Sequence, residues 1–343
     1  MMRLPRFDFR APRTLEEAAR ILAGEGTDAL PLAGGTDLLP NMKRRQQVPK
    51  TLVSLRYVEG LRHHQMGPAG LRLGACLTLA EIADDPRLRN GMTALRQAAS
   101  QVATSQIRNQ ATLGGNICLD TRCNYYDQNY EWRKSIGFCL KKDGTTCWVA
   151  PASRKCLAVS STDTAPVLLA LGARVRLVSH GGEREVPLSA LYDNDGIQYI
   201  RKRFDEVLVE VLLDSLPGWK STYWKLRRRG SFDFPVLSVA AAARFSKQSV
   251  VEEARIVLGS VASRPLIAED AGKFLVGRSL NPEVIAEAAS RAARLAKPLD
   301  NTDFDMSWRK RVAMQFVTYA LQELRGDDMK SERGRWMHHA LPF

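Results

Sequence analysis

The stretch Ala29-Leu-Pro-Leu-Ala-Gly-Gly-Thr-Asp37 runs from a short apolar segment straight into a pair of glycines. Ala29–Ala33 reads as a buried strand, and Gly34-Gly35 as the turn that leaves it. Paired glycines let successive backbone N–H groups point at one anion, and the Thr36 hydroxyl adds a further donor. The loop is not a Walker loop, because no Lys-Ser/Thr follows the second glycine. It is not a dinucleotide fingerprint either, because the third glycine is missing. Taken alone, a strand followed by Gly-Gly also fits an ordinary tight turn. Just upstream, Thr14-Leu-Glu-Glu17 forms a capping box that opens an apolar-periodic helix, Leu15–Ala23. Just downstream, Leu52–Leu55 reads as another strand.

A second glycine pair lies in Ala111-Thr-Leu-Gly-Gly-Asn116. It follows a strand at Leu71–Ala75, a capping box at Thr78-Leu-Ala-Glu81, a helix at Met92–Val102 and a polar stretch at Ser105–Ala111. Two such loops suit the grip on two parts of one extended dinucleotide. The next forty or so residues have no period and are too long for an ordinary loop. Regularity returns with a helix at Thr164–Gly172 and strands at Ala173–Val178 and Glu206–Leu213. After the break at Pro217-Gly218 come strands at Tyr223–Arg229, Val236–Phe245 and Ala254–Val261. Helices at Ala268–Leu275, Pro282–Ala296 and Trp308–Leu324 complete an α+β pattern. The expected division is 1–60, 61–216 with an insertion at about 117–157, 217–326, and a basic tail, 327–343, without a clear period.

The 343 residues suit two or three domains. With 45% hydrophobic and 25% charged residues, wholesale disorder and collagen-like repeats are excluded. The longest apolar stretches, Ala165–Ala173 and Val236–Ala243, are about half a membrane span. Met1–Arg10 has no apolar core of a secretory signal, so a cytoplasmic protein without a membrane segment is expected. The net charge is +13. Its densest runs, Lys43-Arg44-Arg45 and Arg227-Arg228-Arg229, lack the interleaved aromatics of a single-strand platform, so acidic partner surfaces are expected rather than nucleic acid. His63-His64 and His338-His339 are expected at the surface. No nucleophile elbow, Ser/His/Asp set or H-E-x-x-H is present, and no residue is assigned a catalytic role.

Five of the six cysteines fall between Cys118 and Cys156. In a chain without an export signal, clustered thiols point to metal or redox chemistry rather than disulfides. Four thiolates can hold a [4Fe–4S] cluster or a zinc ion. Fifteen, seven and eight residues separate Cys123, Cys139, Cys147 and Cys156, with no C-x₂-C pair, so spacing alone leaves both open. Tyr125, Tyr126, Tyr130, Trp132, Phe138 and Trp148 crowd the same segment. They suit exclusion of water from a cluster as well as a small core of their own. Cys76, in a strand pattern, reads as an inert core thiol.

The combination of Leu32-Ala-Gly-Gly-Thr-Asp-Leu-Leu39, Thr112-Leu-Gly-Gly-Asn116, Thr162-Asp-Thr-Ala-Pro166, and Lys225 with Arg228/Arg229-x₃-Asp233-Phe234 resembles the FAD-binding medium subunits of the molybdenum hydroxylases. This is the xanthine dehydrogenase and carbon monoxide dehydrogenase family, and the resemblance covers roughly residues 5–325. It implies a vanillyl-alcohol-oxidase (PCMH-type) FAD-binding fold in two α/β subdomains, plus a C-terminal α+β domain of the CO dehydrogenase flavoprotein type. It further implies non-covalent FAD held by Leu32, Ala33, Gly34, Gly35, Thr36, Asp37, Leu38 and Leu39 around the pyrophosphate. Thr112, Gly114, Gly115 and Asn116 would continue the grip. Asp163 would accept a hydrogen bond from the ribityl or pyrophosphate region. Lys225 would approach the flavin ring, where a cation stabilises the charge of the reduced form.

Within this family the insertion is similar to that of the 4-hydroxybenzoyl-CoA reductases. The similarity rests on Asp120-Thr-Arg-Cys123, Tyr125-Tyr126, Cys139-Leu-Lys141, Cys147 and Arg154-Lys-Cys156. That likeness implies a [4Fe–4S] cluster on Cys123, Cys139, Cys147 and Cys156, with Cys118 packing near the flavin. It also implies a large molybdopterin subunit and a small subunit with two [2Fe–2S] clusters, in heterotrimers that pair. A ferredoxin-like donor would dock on Lys134, Lys141, Lys142, Arg154 and Lys155 and send electrons inward. Two other readings are open: an oxidative hydroxylase of purines or N-heterocycles, and a zinc-stabilised basic binding module.

Overall fold

The computed structural model describes residues 3–338. The expected surface pair His338-His339 lies outside the described side chains. Three sheets carry the chain. The first is parallel and built from β1 (Asp8–Arg10), β2 (Ala29–Leu32) and β3 (Thr51–Ser54), in the order β1-β3-β2. Helix α1 (Leu15–Glu25) buries Ala18, Ala19 and Leu22. Thr14 caps it, accepting from the Glu17 amide, while the Glu17 carboxylate reaches back to the Arg13 amide. A short helix, α2 (Leu38–Lys43), follows the first glycine loop. Its six residues and internal Pro40 hide it from periodicity.

The second sheet is antiparallel, with β4 (His64–Gly67), β5 (Gly70–Gly74), β6 (Arg174–Ser179), β7 (Gly182–Pro187) and β8 (Val207–Asp214) in the order β4-β5-β8-β6-β7. Between β5 and β6 come α3 (Leu79–Asp84), α4 (Thr93–Ser100), α5 (Ser105–Arg108), α6 (Leu113–Ile117), α7 (Tyr130–Ser135) and α8 (Thr164–Ala170). Thr78 and Glu81 form the expected reciprocal capping box on α3. Every residue of α8 is buried, which accounts for the unbroken apolar run there.

The third sheet is antiparallel, β12 (Leu266–Ile267)-β11 (Val251–Gly259)-β10 (Leu237–Phe245)-β9 (Trp219–Leu226). It is the middle layer of a sandwich. Tyr223, Ala240, Ala242 and Val257 join the core that also holds α4 and α8. Trp224, Ala241, Ala243 and Leu258 face α9 (Glu269–Leu275), α10 (Pro282–Ala293) and α11 (Met306–Arg325). A strand buried on both faces loses its alternation and reads as a continuous apolar run. β9 starts and ends earlier than expected. Arg227–Arg229 leave the sheet for a turn in which Asp233 binds Arg229 and Phe232 takes φ 72°. The tail is also more regular than its sequence suggests, since Lys330–His338 forms α12. No described helix is long and apolar enough to cross a membrane.

Candidate functional site

Ala33–Asp37 leaves the C-terminal end of β2. Among the described residues, the amides of Gly34, Gly35 and Thr36 donate to no protein acceptor. Gly35 has φ +71°, which turns successive N–H groups the same way. Asp37 begins α2; its carboxylate accepts from Asn41 Nδ2 at 3.0 Å. A Cβ on Gly34 would stand 2.0 Å from the carbonyl oxygen of Gln110. The loop backbone therefore lies directly against the residues that lead into the second glycine pair.

That second pair is not an open loop. Gly114 and Gly115 belong to α6, with Thr112 as its N-cap. The amide of Leu113 donates to Leu77 O, that of Gly114 to Ala75 O, that of Gly115 to Thr112 Oγ1 and that of Asn116 to Thr112 O. The donors expected to repeat the first loop are thus engaged within the protein. Asn116 Oδ1 accepts from Thr162 Oγ1 (2.8 Å), Thr164 N (3.0 Å) and Thr164 Oγ1 (2.7 Å), tying this loop to the start of α8.

Asp163 and Lys225 meet each other there. Asp163 accepts from Tyr223 Oη at 2.6 Å and from Lys225 Nζ at 3.0 Å. Lys225 also donates to Gln101 O, as does Arg227. Burial drives the Asp163 carboxyl up and the Lys225 ammonium down, and each counters the other through its charge. Lys225 is therefore no strand-edge lysine in solvent. Tyr223 and Gln101 complete this group and carried no sequence signal beyond their place in regular elements.

The four expected cysteines converge. Cys123, Cys139, Cys147 and Cys156 are free, buried, and line one small cavity with Tyr125, Tyr126, Lys141 and Trp148. Burial pushes the Cys123 thiol up to about 12 and the Cys156 thiol up to about 11, so a positive centre is needed to hold them as thiolates. Turns fix them: Cys123 N donates to an Asp127 oxygen, Gly144 N to Cys139 O, and Ala150 N to Cys147 O. Gly196, far along the chain, donates to Cys156 O, and a Cβ there would reach Cys156 Sγ at 2.6 Å. Among the described residues no group of three or more His, Cys, Asp or Glu side chains is placed to hold a metal ion. Four soft, buried sulfur donors nonetheless share one small, mostly apolar cavity.

Arg122 links the two regions. It pairs with Asp37 on one side and with Asp127 at 2.9 Å on the other, over the Phe234 ring at 4.4 Å. Gln46 donates to Tyr126 O and Arg133 to Arg44 O, so the insertion rests on the α2 segment. Lys141 is not a surface contact. Its side chain is 6% exposed and its ammonium is bonded internally, which removes it from the expected carrier-docking set. Cys118 ends α6, and burial raises its thiol. Cys76 is raised to about 11, as an inert thiol should be. His63 and His64 are half-buried rather than exposed, and pair separately with Glu210 and Asp85, each at 2.6 Å.

A strand that ends in a loop of free amides is a fold feature suited to the pyrophosphate of a dinucleotide. Residues 5–214 match the FAD-binding domain of molybdopterin dehydrogenases, and residues 221–324 the CO dehydrogenase flavoprotein C-terminal domain. The chain belongs to the FAD-binding medium subunits of the xanthine dehydrogenase and CO dehydrogenase family of molybdenum hydroxylases, and it binds FAD. The aldehyde oxidoreductase FAD-binding subunit PaoB of Escherichia coli is 32% identical, over 76% of this chain and 82% of that one. The nicotinate dehydrogenase FAD-subunit of Eubacterium barkeri is 28% identical, over 81% and 82%. The carbon monoxide dehydrogenase structure from Hydrogenophaga pseudoflava aligns with TM-score 0.77 and 26% identity, covering 94% of this chain and 98% of that one.

Proposed function

We propose that this chain is the FAD- and [4Fe–4S]-carrying electron-transfer subunit of a molybdenum complex of the 4-hydroxybenzoyl-CoA reductase type. The observation that carries the reading is the convergence of Cys123, Cys139, Cys147 and Cys156 on one buried cavity, joined through Arg122 to the loop that has free amides. In this reading Leu32–Leu39 cradle the pyrophosphate, with Gly34, Gly35 and Thr36 donating. Thr112, Gly114, Gly115 and Asn116 support the fold beside that loop rather than grip the cofactor, since the amides of Gly114, Gly115 and Asn116 are already spent within the protein. The Asp163–Lys225 pair serves the flavin end, its charge balanced in place. FAD supplies exchange between one-electron and two-electron carriers.

The partners are a large molybdopterin subunit and a small subunit with two [2Fe–2S] clusters, in paired heterotrimers. The donor is a ferredoxin-like, low-potential carrier. Lys134, Arg154 and Lys155 are exposed on the insertion, as are Trp132 and Trp148, and Lys142 is half-exposed. Positive charge there steers an acidic carrier toward the cluster. At the molybdenum subunit, two electrons and two protons remove the phenolic hydroxyl as water. A cytoplasmic location agrees with six free thiols. We also propose domain boundaries near 60 and 216, since each sheet draws its strands from one side of them.

The test is anaerobic purification of the chain with the subunits that accompany it, followed by iron, flavin and activity measurements. Replacing any one of the four cysteines by Ser should remove about four irons per chain, one cluster's worth. Cys76→Ser and Cys118→Ser should leave iron unchanged. Flavin-loaded protein that carries zinc and no iron would sink the cluster. A second reading has support in the names of the relatives, which include nicotinate and carbon monoxide dehydrogenases. In it the same cofactors carry electrons outward from an oxidised substrate. Oxidation of an N-heterocycle, with no dehydroxylation of 4-hydroxybenzoyl-CoA by a low-potential donor, would select it.

A further inference from the structure

Lys141 is a buried ammonium with every donor spent. Its Nζ donates to Asp120 Oδ1 at 2.8 Å, to Thr121 Oγ1 at 2.8 Å and to Gly196 O at 2.6 Å. It lies 4.9 Å from the Tyr126 ring centroid and 5.4 Å from that of Tyr199. Three bonds in three directions fix the charge in place, and burying a lysine at all is costly unless it is so satisfied. The side chain also lines the cysteine cavity, whereas its counter-ion Asp120 does not. Of the two charged partners, the lysine is the one that stands against the cavity.

Resting on the cluster reading above, we propose that Lys141 is a positioning residue whose fixed positive charge raises the reduction potential of the iron–sulfur cluster held by the four cysteines. Uptake of one electron adds one negative charge to the cluster. A nearby cation in a dry, low-dielectric site favours that reduced form, and net charge around a cluster is one of the levers on its potential. The residue acts on the equilibrium of a one-electron step supplied by an external low-potential donor, and no bond forms or breaks at the lysine.

The experiment is a dithionite titration of the anaerobically purified full chain with its accompanying subunits, monitored by EPR. In Lys141→Met the reduced-to-oxidised ratio at a fixed poise should fall about tenfold or more, a downward shift of about 59 mV for a one-electron centre. Asp120→Asn keeps an acceptor but removes the opposing charge, and should raise the ratio. Lys141→Arg should stay near the original. Lys141→Met with full iron and an unmoved midpoint overturns the proposal. If that variant loses its iron, Asp120→Asn decides, and an unmoved or lowered midpoint overturns it. Loss of iron in both variants makes Lys141 a fold element and also overturns it. A parent chain with no reducible cluster at all fails the underlying reading first, which the iron assay of that parent separates from failure here.

Discussion

Gly34-Gly35 and Gly114-Gly115 are the same dipeptide, each within two residues of a threonine, yet the chain uses them for opposite ends. The first pair leaves its amides without a protein partner and turns through φ +71° at Gly35. The second lies inside α6 with its amides bonded to Ala75 and Thr112. Order along the chain explains the contrast. Thr112 precedes its glycines, takes an extended conformation and caps a helix, whereas Thr36 follows its glycines and cannot. One pair offers donors. The other gives up side chains so that α6 can sit on residues 75–77. Identical composition thus says little about role until it is known which backbone groups are already satisfied.

The largest test of this contrast is Gly34→Ala. Its Cβ would meet backbone atoms of Gln110 at 2.0 and 2.7 Å, which no rotamer relieves. The expected loss exceeds about 3 kcal/mol, beyond the usual range for one substitution, with flavin lost as well. Urea denaturation and bound FAD measure both. Gly114→Val comes next, since even its Cβ would stand 2.8 Å from Ala75 Cβ and 3.0 Å from Ala75 O. Overpacking of this kind costs about 1–3 kcal/mol, and here the urea midpoint should fall while FAD affinity per folded chain holds. Gly35→Ala should cost about 1–2 kcal/mol through its left-handed backbone. Unlike Gly114→Val, it should weaken FAD, which equilibrium dialysis of the folded variant reports. The smallest effect is Thr112→Ala, about 1 kcal/mol for a lost cap, with FAD untouched. Should Thr112→Ala weaken flavin as much as Gly35→Ala does, the two pairs share a task and the contrast is wrong.

Much of the scaffold was legible because its signals are local. The threonine caps at Thr14 and Thr78 mark true helix starts, and the strands expected at 29–33, 236–245 and 254–261 fall on β2, β10 and β11, although β11 begins three residues earlier and ends two earlier. β4 and β7 were missed because they are mostly exposed and carry no apolar alternation. α12 was missed because its sequence is dominated by charge. At the site, the four thiols could be picked out by chemistry alone. The burial of Lys141, the approach of Gly196 to Cys156 and the Asp163–Tyr223–Lys225 group could not. Each depends on residues dozens of positions apart meeting through the tertiary fold, and nothing in the local sequence distinguishes a lysine headed for solvent from one headed inward.

α12 begins beyond residue 324, where the matched family segment stops. It is nevertheless stitched into the middle of the molecule. Arg333 stacks on Trp224 at 4.3 Å, binds Glu323 and Thr222, and donates to the carbonyl of Tyr223. The hydroxyl of that same tyrosine holds Asp163. A proteolytic nick in the exposed Gly326–Asp328 connection would therefore be felt far from the cut, first as an uncovered indole and then as a loosened carboxylate at the start of α8. Trimming the polypeptide back to the family's shared footprint removes a latch, and fluorescence of Trp224 would be the place to watch it open.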